Sequence, residues 1–273
     1  GWRRGTIKDR LRAGRVLVNG LPVTAHDHLV QPGDDVEIRS ADAPDVRERS
    51  RHGITTLFVD DDLVVIDKPE GLLSVSTDHE NRRTALALVR DSLSTSNHRA
   101  PLWPVHRLDR DTSGVLMFAR SKQTQDVVMD NWSLATKTYL AVVEQVPSPA
   151  NGVIEQPLWE DSRLHVHVGQ HPKAVHARTR YRTLDAGKDR ALLQVQLDTG
   201  RRHQIRAHFA WLGHPLVGDV RFGHPSTRLA LHALRLAMPH PNSNRDLVVT
   251  AVVPVPFWVL SPRKLDVSAL DAL

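Results

Sequence analysis

The feature that most limits the fold of this chain is a series of short apolar runs separated by turn residues. RTRYRTL and RALLQVQL alternate polar and apolar residues on either side of residues 186–189, which is the pattern of a hairpin of two half-buried strands. TLFVDDDLVVIDKP predicts a second hairpin, because the three aspartates at 60–62 separate two apolar runs and aspartate favours turns. Nothing near these aspartates in the sequence completes a metal site, so we interpret them as a turn.

Further runs extend this pattern along the chain. A helix is expected in RRHQIRAHFAWLG, because Ile205, Phe209 and Leu212 form an apolar stripe and Gly213 ends it. Many strands with a few interspersed helices predict an α+β fold with a mixed, mostly antiparallel sheet. Besides the hairpin around the aspartates, strands are expected at residues 114–119, 137–144, 177–184, 190–198 and 247–253, of which 177–184 and 190–198 form the hairpin around residues 186–189. Two more helices are expected at 82–92 and 121–132.

The N-terminal region has a different organisation. A helix ending near Gly14 is expected first, followed by VLVNG, a strand entering an Asn-Gly turn, and by VQPGDDVEI, a turn before a short strand. A polar stretch with one proline then predicts a linker. We therefore predict a small α/β module at residues 1–40, a linker at 41–53 and a larger domain at 54–273.

The positive charge of the chain is concentrated at its N-terminal end. Residues 1–15 carry six basic side chains and one acidic side chain, which leaves 30 basic and 30 acidic residues in the rest of the chain. A short basic stretch on an otherwise balanced protein favours binding to a polyanion, because each neutralised phosphate releases counterions. A solvated tail or helix face is the alternative interpretation.

Composition excludes several classes of protein. The chain has no cysteine, which excludes disulfides, cysteine-ligated zinc, iron–sulfur clusters and thiol nucleophiles. This suits a reducing compartment, and we expect a cytoplasmic location. The longest uncharged run, residues 247–262, contains three prolines and is shorter than the ~20 residues of a membrane helix, so no span is expected. The first residues do not resemble a signal peptide. The sequence does not begin with Met, so we expect that the natural N-terminus has been removed.

The most unusual stretch is HRLDRDTSGVLMFA, residues 106–119. Asp109 and Asp111 stand among basic side chains just before an apolar strand, an arrangement that places charged groups on a rigid support. An aspartate beside arginines stays ionised, so it can act as a nucleophile or an electrostatic partner. A structural Asp–Arg network is the alternative. A magnesium site is not expected, because the flanking guanidiniums would repel the cation.

Two further stretches carry groups capable of chemistry. In DTGRRHQIRAH, Arg201, His203 and Arg206 crowd the start of the expected helix, which suits phosphate or carboxylate groups. A solvated basic face is the alternative interpretation. In KTYLAVVE, Tyr139 is either a core aromatic or a platform on which a base stacks. Four histidines in LHVHVGQHPKAVH lack a carboxylate at a metal-ligand spacing, so a basic RNA-facing or solvated loop is expected instead of a metal site.

These motifs resemble the RluA family of RNA pseudouridine synthases. The resemblance covers residues 54–260 and rests on several long motifs in the family's order: VIDKPEGLLSV, HRLDRDTSGVLMFA, KTYLAVVE, TGRRHQIRAHFAWLGHPLVGD and LALHALRLAMPHP. The N-terminal stretch resembles the S-four-like RNA-binding domain that is often fused to these enzymes. It lacks that domain's first helix, so we expect a partial module.

The resemblance implies a role for seven residues. Asp109 matches the catalytic aspartate, Tyr139 the tyrosine that lies against the target base, and Arg206 the arginine that pairs with the aspartate. The resemblance also implies that His106 and Arg107 contact the RNA beside the flipped nucleotide. It implies that Arg201 and His203 line the rim of the site. Arg202 receives no role, and Phe222 stands where the family often has tyrosine.

The implied reaction detaches uracil from its ribose nitrogen link, turns it and rejoins it through carbon five. It needs no metal and no cofactor. Asp109 would add to the anomeric carbon, add to the uracil ring, or remove a sugar proton, and all three remain open at this point. A base inside a helix is out of reach, so the uridine must flip out.

We expect a monomer that acts on RNA, with large-subunit ribosomal RNA as the first choice of substrate and transfer RNA as the second. Two other functions are conceivable: a non-catalytic RNA-binding factor of ribosome assembly, and an unrelated hydrolase acting on nucleosides. The first is disfavoured because Asp109, Tyr139 and Arg206 are all retained. The second is disfavoured because no water-activating base or metal site is evident.

Overall fold

The structure is a computed structural model that describes residues 16–18, 21–23, 30, 33, 36–38, 54–76, 83–94, 100–243, 245–267, 270, 272 and 273. The expected helix ending near Gly14 and the expected linker at 41–53 lie outside the described residues. The division into an N-terminal module, a linker and a larger domain therefore stays a prediction.

Fifteen strands and four α-helices are described, and the strands form three sheets. Strands β2-β1-β3 form a small antiparallel sheet, and β10-β11 form a second one. The main sheet has ten strands in the order β4-β5-β7-β14-β8-β13-β12-β9, with β15 paired to β14 and β6 to β7. The bounds are β1 Val16–Val18, β2 Leu21–Val23, β3 Val36–Ile38, β4 Thr55–Val59, β5 Leu63–Lys68, α1 Ala85–Leu93, β6 Trp103–Pro104, β7 Ser113–Ala119, α2 Lys122–Asp130, β8 Thr136–Glu144, β9 Asn151–Glu155, β10 Leu158–Glu160, β11 Val166–Val168, β12 Arg178–Ala186, β13 Arg190–Leu197, α3 Gln204–Trp211, β14 Leu231–Pro239, β15 Asp246–Thr250 and α4 Val255–Trp258.

The described pairings confirm the predicted mixed, mostly antiparallel sheet. The β7–β14 pair is parallel, whereas the other described strand pairs are antiparallel. Both predicted hairpins form, since β4 pairs with β5 across the aspartate turn and β12 pairs with β13 across residues 187–189. The result is an α+β fold in which the strand expectations hold to within one to three residues at most ends.

The sheet buries apolar side chains on both faces because its central strands are apolar at successive positions. In β7, Leu116 and Phe118 pack on the face that carries α1 and α3, whereas Val115 and Met117 pack on the opposite face. The alternation follows from the two-residue period of a strand. Helix α2 covers part of the opposite face through Val128. The central strands thus form a rigid support between two layers.

Gly114 permits the close approach of β7 and β14. Its φ is +113°, and an added Cβ would lie 2.1 Å from the carbonyl oxygen of Ala233. Only glycine tolerates this combination of a positive φ and backbone contact. The Thr-Ser-Gly sequence after Asp109 therefore begins the strand where the two central halves of the sheet meet.

The aspartate turn has a partner that sequence reasoning missed. His240 Nε2 lies 2.8 Å from Asp60 Oδ2, and the Asp60 Oδ1 atom accepts the backbone N–H groups of Asp62 and Leu63. Asp60, Asp62 and His240 are close enough to one another to offer three metal ligands. Asp60 is hydrogen-bonded within the turn and to His240, and Asp62 accepts from Thr124 and Asn242, so the arrangement agrees with a structural role.

Candidate active site

The loop at residues 105–112 carries Asp109 and is fastened to the preceding polypeptide. Leu108 is buried, and its backbone is clamped by one hydroxyl: Ser74 Oγ donates to the Leu108 carbonyl (2.7 Å) and accepts from its N–H (3.0 Å). The backbone N–H of Thr112 donates to the Asp109 carbonyl at 3.2 Å and closes the turn. Asp109 therefore projects from a loop that is held on both sides.

Lys68, at the end of β5, supports the same loop from inside. It is fully buried, and its Nζ donates to the carbonyls of Pro69, Leu72 and Arg110 at 2.8, 2.8 and 2.9 Å. Burial lowers the pKa of Lys68 to about 7, and nearby carboxylates such as Asp111 oppose that shift. Three carbonyl acceptors need all three N–H protons, so the contacts favour the ammonium form.

Arg206 lies between two carboxylates. Its Nη1 is 3.2 Å from Asp109 Oδ2, whereas its Nε and Nη2 bond to the two oxygens of Asp219 at 2.7 and 2.8 Å. Only 6 % of Arg206 and 1 % of Asp219 are exposed. Burial alone would lower the pKa of Arg206, but the hydrogen bonds and charges of Asp219 and Asp109 raise it above its ordinary value. The guanidinium is therefore a fixed positive charge beside Asp109.

Helix α3 begins later than the sequence predicted, and the reason lies at its first turn. His203 has a φ of +52°, so the helix starts at Gln204 and not at Arg201. Gln204 holds this turn: its Oε1 accepts from Thr199 Oγ1 and the Arg201 N–H, and its Nε2 donates to the Arg178 carbonyl. This local structure sets the direction of the helix, whose third residue, Arg206, contacts Asp109.

An open pocket of about 440 Å³ surrounds the Asp109 carboxylate. Tyr139 forms part of the wall, and burial raises the pKa of its phenol, with the negative charge of Asp109 adding to the effect. The tyrosine thus stays neutral and presents an aromatic ring to the pocket. Its lining is Arg107, Leu108, Asp109, Thr112, Tyr139, Leu197, Gly200, Arg201, His203, Gln204, Ile205, Arg206 and Leu231.

The structure brings six of the seven predicted site residues to this pocket. His203 Nε2 lies 3.8 Å from Asp109 Oδ1, and burial lowers the pKa of His203 to about 4 although Asp109 opposes the shift. The imidazole is therefore neutral near pH 7. Arg107 and Arg201 are both exposed at the pocket, where they can meet a ligand from solvent.

His106 is the predicted site residue that does not line the pocket. Its Nε2 accepts the backbone N–H of Met117 at 3.0 Å, and its ring stacks on Trp132 with 5.0 Å between centroids. Burial lowers the pKa of His106 to about 3, with the charge of Lys137 acting in the same direction. These contacts give His106 a packing role beneath the loop, and they do not present it to a ligand.

The four histidines of the 165–176 segment occupy an exposed hairpin beside α3. His167 Nε2 lies 3.0 Å from Asp161 Oδ2, and the hydrogen bond lowers the pKa of Asp161. The rings of His167 and His171 stack on Trp159, with centroids 4.3 and 4.0 Å away. This agrees with the expected solvated loop, and the stacking was not evident from sequence.

Sequence reasoning missed three residues of this site. Asp219, Lys68 and Ser74 hold Arg206 and the Asp109 loop in place. All three belong to motifs that carried the resemblance, VIDKPEGLLSV and GHPLVGD, but those motifs received no residue-level role. Their position within the motifs was the signal that could have identified them.

Comparison with solved structures defines the class of protein first. The human structure titled RNA Pseudouridylate Synthase Domain Containing 4 superimposes with a TM-score of 0.62 at 27% identity, covering 74% of this chain and 89% of that one. The fold is therefore the pseudouridine synthase fold. A sequence model of the RNA pseudouridylate synthase family matches residues 62–211. The chain belongs to this family of isomerases, and the resemblance drawn from its motifs is confirmed.

Curated relatives agree over most of the chain. A protein of Mycobacterium bovis, named as an uncharacterised RNA pseudouridine synthase, is 34% identical and aligns with 88% of this chain and 83% of its own length. The Vibrio cholerae ribosomal large subunit pseudouridine synthase D is 29% identical, with 93% and 84% covered. The expected enzyme class is therefore confirmed. The described helices include none with the length and apolar character of a membrane span.

Proposed function

We propose that this chain isomerises specific uridines to pseudouridine in large-subunit ribosomal RNA, with Asp109 as the catalytic carboxylate. The observation that carries the proposal is the Asp109–Arg206 contact of 3.2 Å at an open pocket that Tyr139 also lines. Each of the three roles open to Asp109, attack on the sugar, attack on the ring, or removal of a sugar proton, requires the ionised carboxylate. A fixed guanidinium favours that form.

The pocket supplies what an extruded base needs. Flipping a uridine out of a helix costs a few kcal/mol. Stacking of the base on Tyr139 would return about 1–3 kcal/mol. Arg107 and Arg201, both exposed at the pocket, are the groups that we assign to the RNA backbone on either side of the flipped nucleotide. His203 remains a proposed rim contact, whereas the internal contacts of His106 argue for a packing role instead.

The choice of RNA rests on the N-terminal charge and on a relative. Residues 1–15 carry a net charge of +5, and the region resembles an S-four-like RNA-binding domain. The Vibrio cholerae relative is named for the large ribosomal subunit. A basic module beside the catalytic domain would add phosphate contacts and strengthen binding to a large structured RNA. We place the protein in the cytoplasm, where such RNA is assembled.

The test is to map pseudouridines in ribosomal and transfer RNA from cells with and without the gene. We expect at least one pseudouridine to disappear from large-subunit ribosomal RNA and to return when the gene is supplied again. The Asp109→Asn variant should fold and fail to restore it, because the amide keeps the shape but loses the charge. Asp126→Asn, which alters an exposed pair with Lys122, is the matched control and should restore it.

The outcomes separate the parts of the proposal. Loss of modification only from transfer RNA would overturn the choice of substrate and keep the chemistry. Full restoration by Asp109→Asn would overturn the role of Asp109. An unchanged pseudouridine map in both RNA classes would contradict the proposal as a whole.

A further inference from the structure

Lys137 is a cationic residue two positions before Tyr139 on strand β8. Lys137 and Tyr139 are two residues apart in β8, so their side chains leave the same face of the sheet with a spacing of ~7 Å. Tyr139 lines the pocket of Asp109, whereas Lys137 lines a neighbouring cavity of about 770 Å³. Leu197 belongs to the walls of both, so the two cavities adjoin.

The side chain of Lys137 is mostly buried, and no described carboxylate forms an ion pair with it. Only 9 % of the residue is exposed. No described hydrogen bond or ion pair involves its ammonium group, which is not among the fully buried polar atoms that lack a partner and therefore faces the open cavity. Its nearest described partner is the Trp132 ring, whose centroid lies 5.4 Å from Nζ. Burial lowers the pKa of Lys137, and Asp198 only partly opposes this. Buried lysines are normally paired, as Lys68 is with three carbonyls.

Three charged side chains belong to the described lining of this cavity: Lys137, Arg180 and Asp198. Asp198 is the acidic side chain among the described lining residues, and two arginines already bind it: Arg180 Nε at 3.0 Å and Arg178 through a short contact. Arg180 also donates from Nη1 to the Leu273 carbonyl at 2.9 Å. Because Arg180 pairs with Asp198, Lys137 is the charged side chain of the described lining that has no ion-pair partner, and it favours an anionic ligand.

We propose that Lys137 binds a backbone phosphate of the nucleotide next to the flipped uridine, and that the cavity beside it accommodates that nucleotide. The proposal deepens the proposed function and rests on it. The adjoining cavities provide a path for a continuous RNA strand from Tyr139 to Lys137. A phosphate would supply the counter-ion that the lysine lacks, through a charge-assisted hydrogen bond.

The test compares Lys137→Met with the unaltered protein, using ribosomal RNA from cells that lack the gene as the probe. Methionine keeps the length and apolar stem of the side chain and removes the charge. We expect RNA binding to weaken about tenfold or more and the slope of log K against log[salt] to fall by about 0.7. In the modification assay KM should rise with little change in kcat.

A matched control and a stability measurement distinguish this from a structural lysine. Lys188→Met removes an exposed charge at the β12–β13 turn and should change neither the salt slope nor KM. Lys137→Arg should retain most of the binding. Because an unpaired buried cation costs stability, Lys137→Met should have a Tm equal to or above that of the unaltered protein.

A change to the RNA itself complements the Lys137→Met variant and tests which phosphate Lys137 binds. A short synthetic RNA centred on the mapped uridine, with the neighbouring phosphodiester replaced by neutral methylphosphonate, should bind the unaltered protein as weakly as natural RNA binds Lys137→Met. Combining both changes should add no further loss. An unchanged salt slope and affinity in Lys137→Met, or a lowered Tm with full RNA binding, would overturn the proposal. An unaltered protein that binds RNA but never makes pseudouridine would instead refute the proposed function.

Discussion

Asp219 holds Arg206 by two hydrogen bonds while Arg206 faces Asp109 with its remaining Nη1 group. The two-pronged contact fixes the plane of the guanidinium without help from Asp109. Asp109 thus meets a positive charge whose orientation is already set. The Asp109 Oδ1 atom lies 3.8 Å from His203 Nε2 at the pocket, on the side open to a ligand.

Asp219→Ala should therefore destabilise the protein and impair catalysis together. Removing one partner of a buried ion pair costs about 3–5 kcal/mol of unfolding free energy. The control Asp126→Asn, at an exposed pair with Lys122, should cost at most about 1 kcal/mol and keep full activity. Urea unfolding and the modification assay measure both effects.

Asp219→Asn offers a milder version of the same test, since the amide keeps one acceptor oxygen for the guanidinium. We expect this variant to fold, with kcat reduced more strongly than KM is raised. A variant at this position with the kcat of the unaltered protein would show that Asp219 does not position Arg206.

His106 should make the stability of the fold depend on pH. Its pKa is about 3 in the folded state, against an ordinary value of 6.5 when the ring is exposed to water, so the unfolded chain binds the proton first as the pH falls. The stabilisation is complete above about pH 6.5 and is lost between there and pH 3, at up to about 1.4 kcal/mol per pH unit.

His106→Gln removes this titration and keeps an acceptor for the Met117 N–H group. Urea unfolding at several pH values between 7 and 4 should show a shallower loss of stability in the variant. Subtracting the two curves cancels the contribution of carboxyl groups, which is common to both proteins. Parallel curves would contradict the burial of a neutral imidazole at this position.

Gly114→Ala should be far more damaging than Gly213→Ala. Both glycines have a positive φ, but a Cβ at Gly213 meets nothing within 4 Å, whereas one at Gly114 would collide with the Ala233 backbone. The Gly213 variant should lose about 1 kcal/mol or slightly more from backbone strain alone. Thermal unfolding of both variants separates strain from collision. Equal losses would show that β7 and β14 can move apart without cost.

Lys68→Met should lower both stability and kcat, in contrast to the change proposed for Lys137. The substitution leaves the carbonyls of Pro69, Leu72 and Arg110 without their donor in a buried setting. We expect a loss of about 2–4 kcal/mol, since the relief of burying a charge offsets part of the cost. Thermal unfolding and the modification assay are the measurements, with the exposed Lys122→Met as control. A fully active, equally stable Lys68→Met would contradict the support of the Asp109 loop.

Much of the fold was predictable because its signals are local. The hairpins around residues 60–62 and 186–189 follow from turn residues between alternating runs, and both form as expected. The start of α3 was predicted three residues early. The apolar stripe shows where a helix packs, but the positive φ of His203, which sets its first residue, has no counterpart in the pattern of apolar positions.

The sequence by itself determined the kind of strands and helices, the family and the set of polar residues available for chemistry, since each depends on neighbouring residues or on motifs in order. Only the tertiary structure decided which of those residues meet. Asp109 and Arg206 are 97 positions apart, Asp219 joins them from a third segment, and His106 turns away from the pocket beside them. These contacts depend on which charged side chains are buried together when the sheet forms. The spacing of residues along the chain does not specify this.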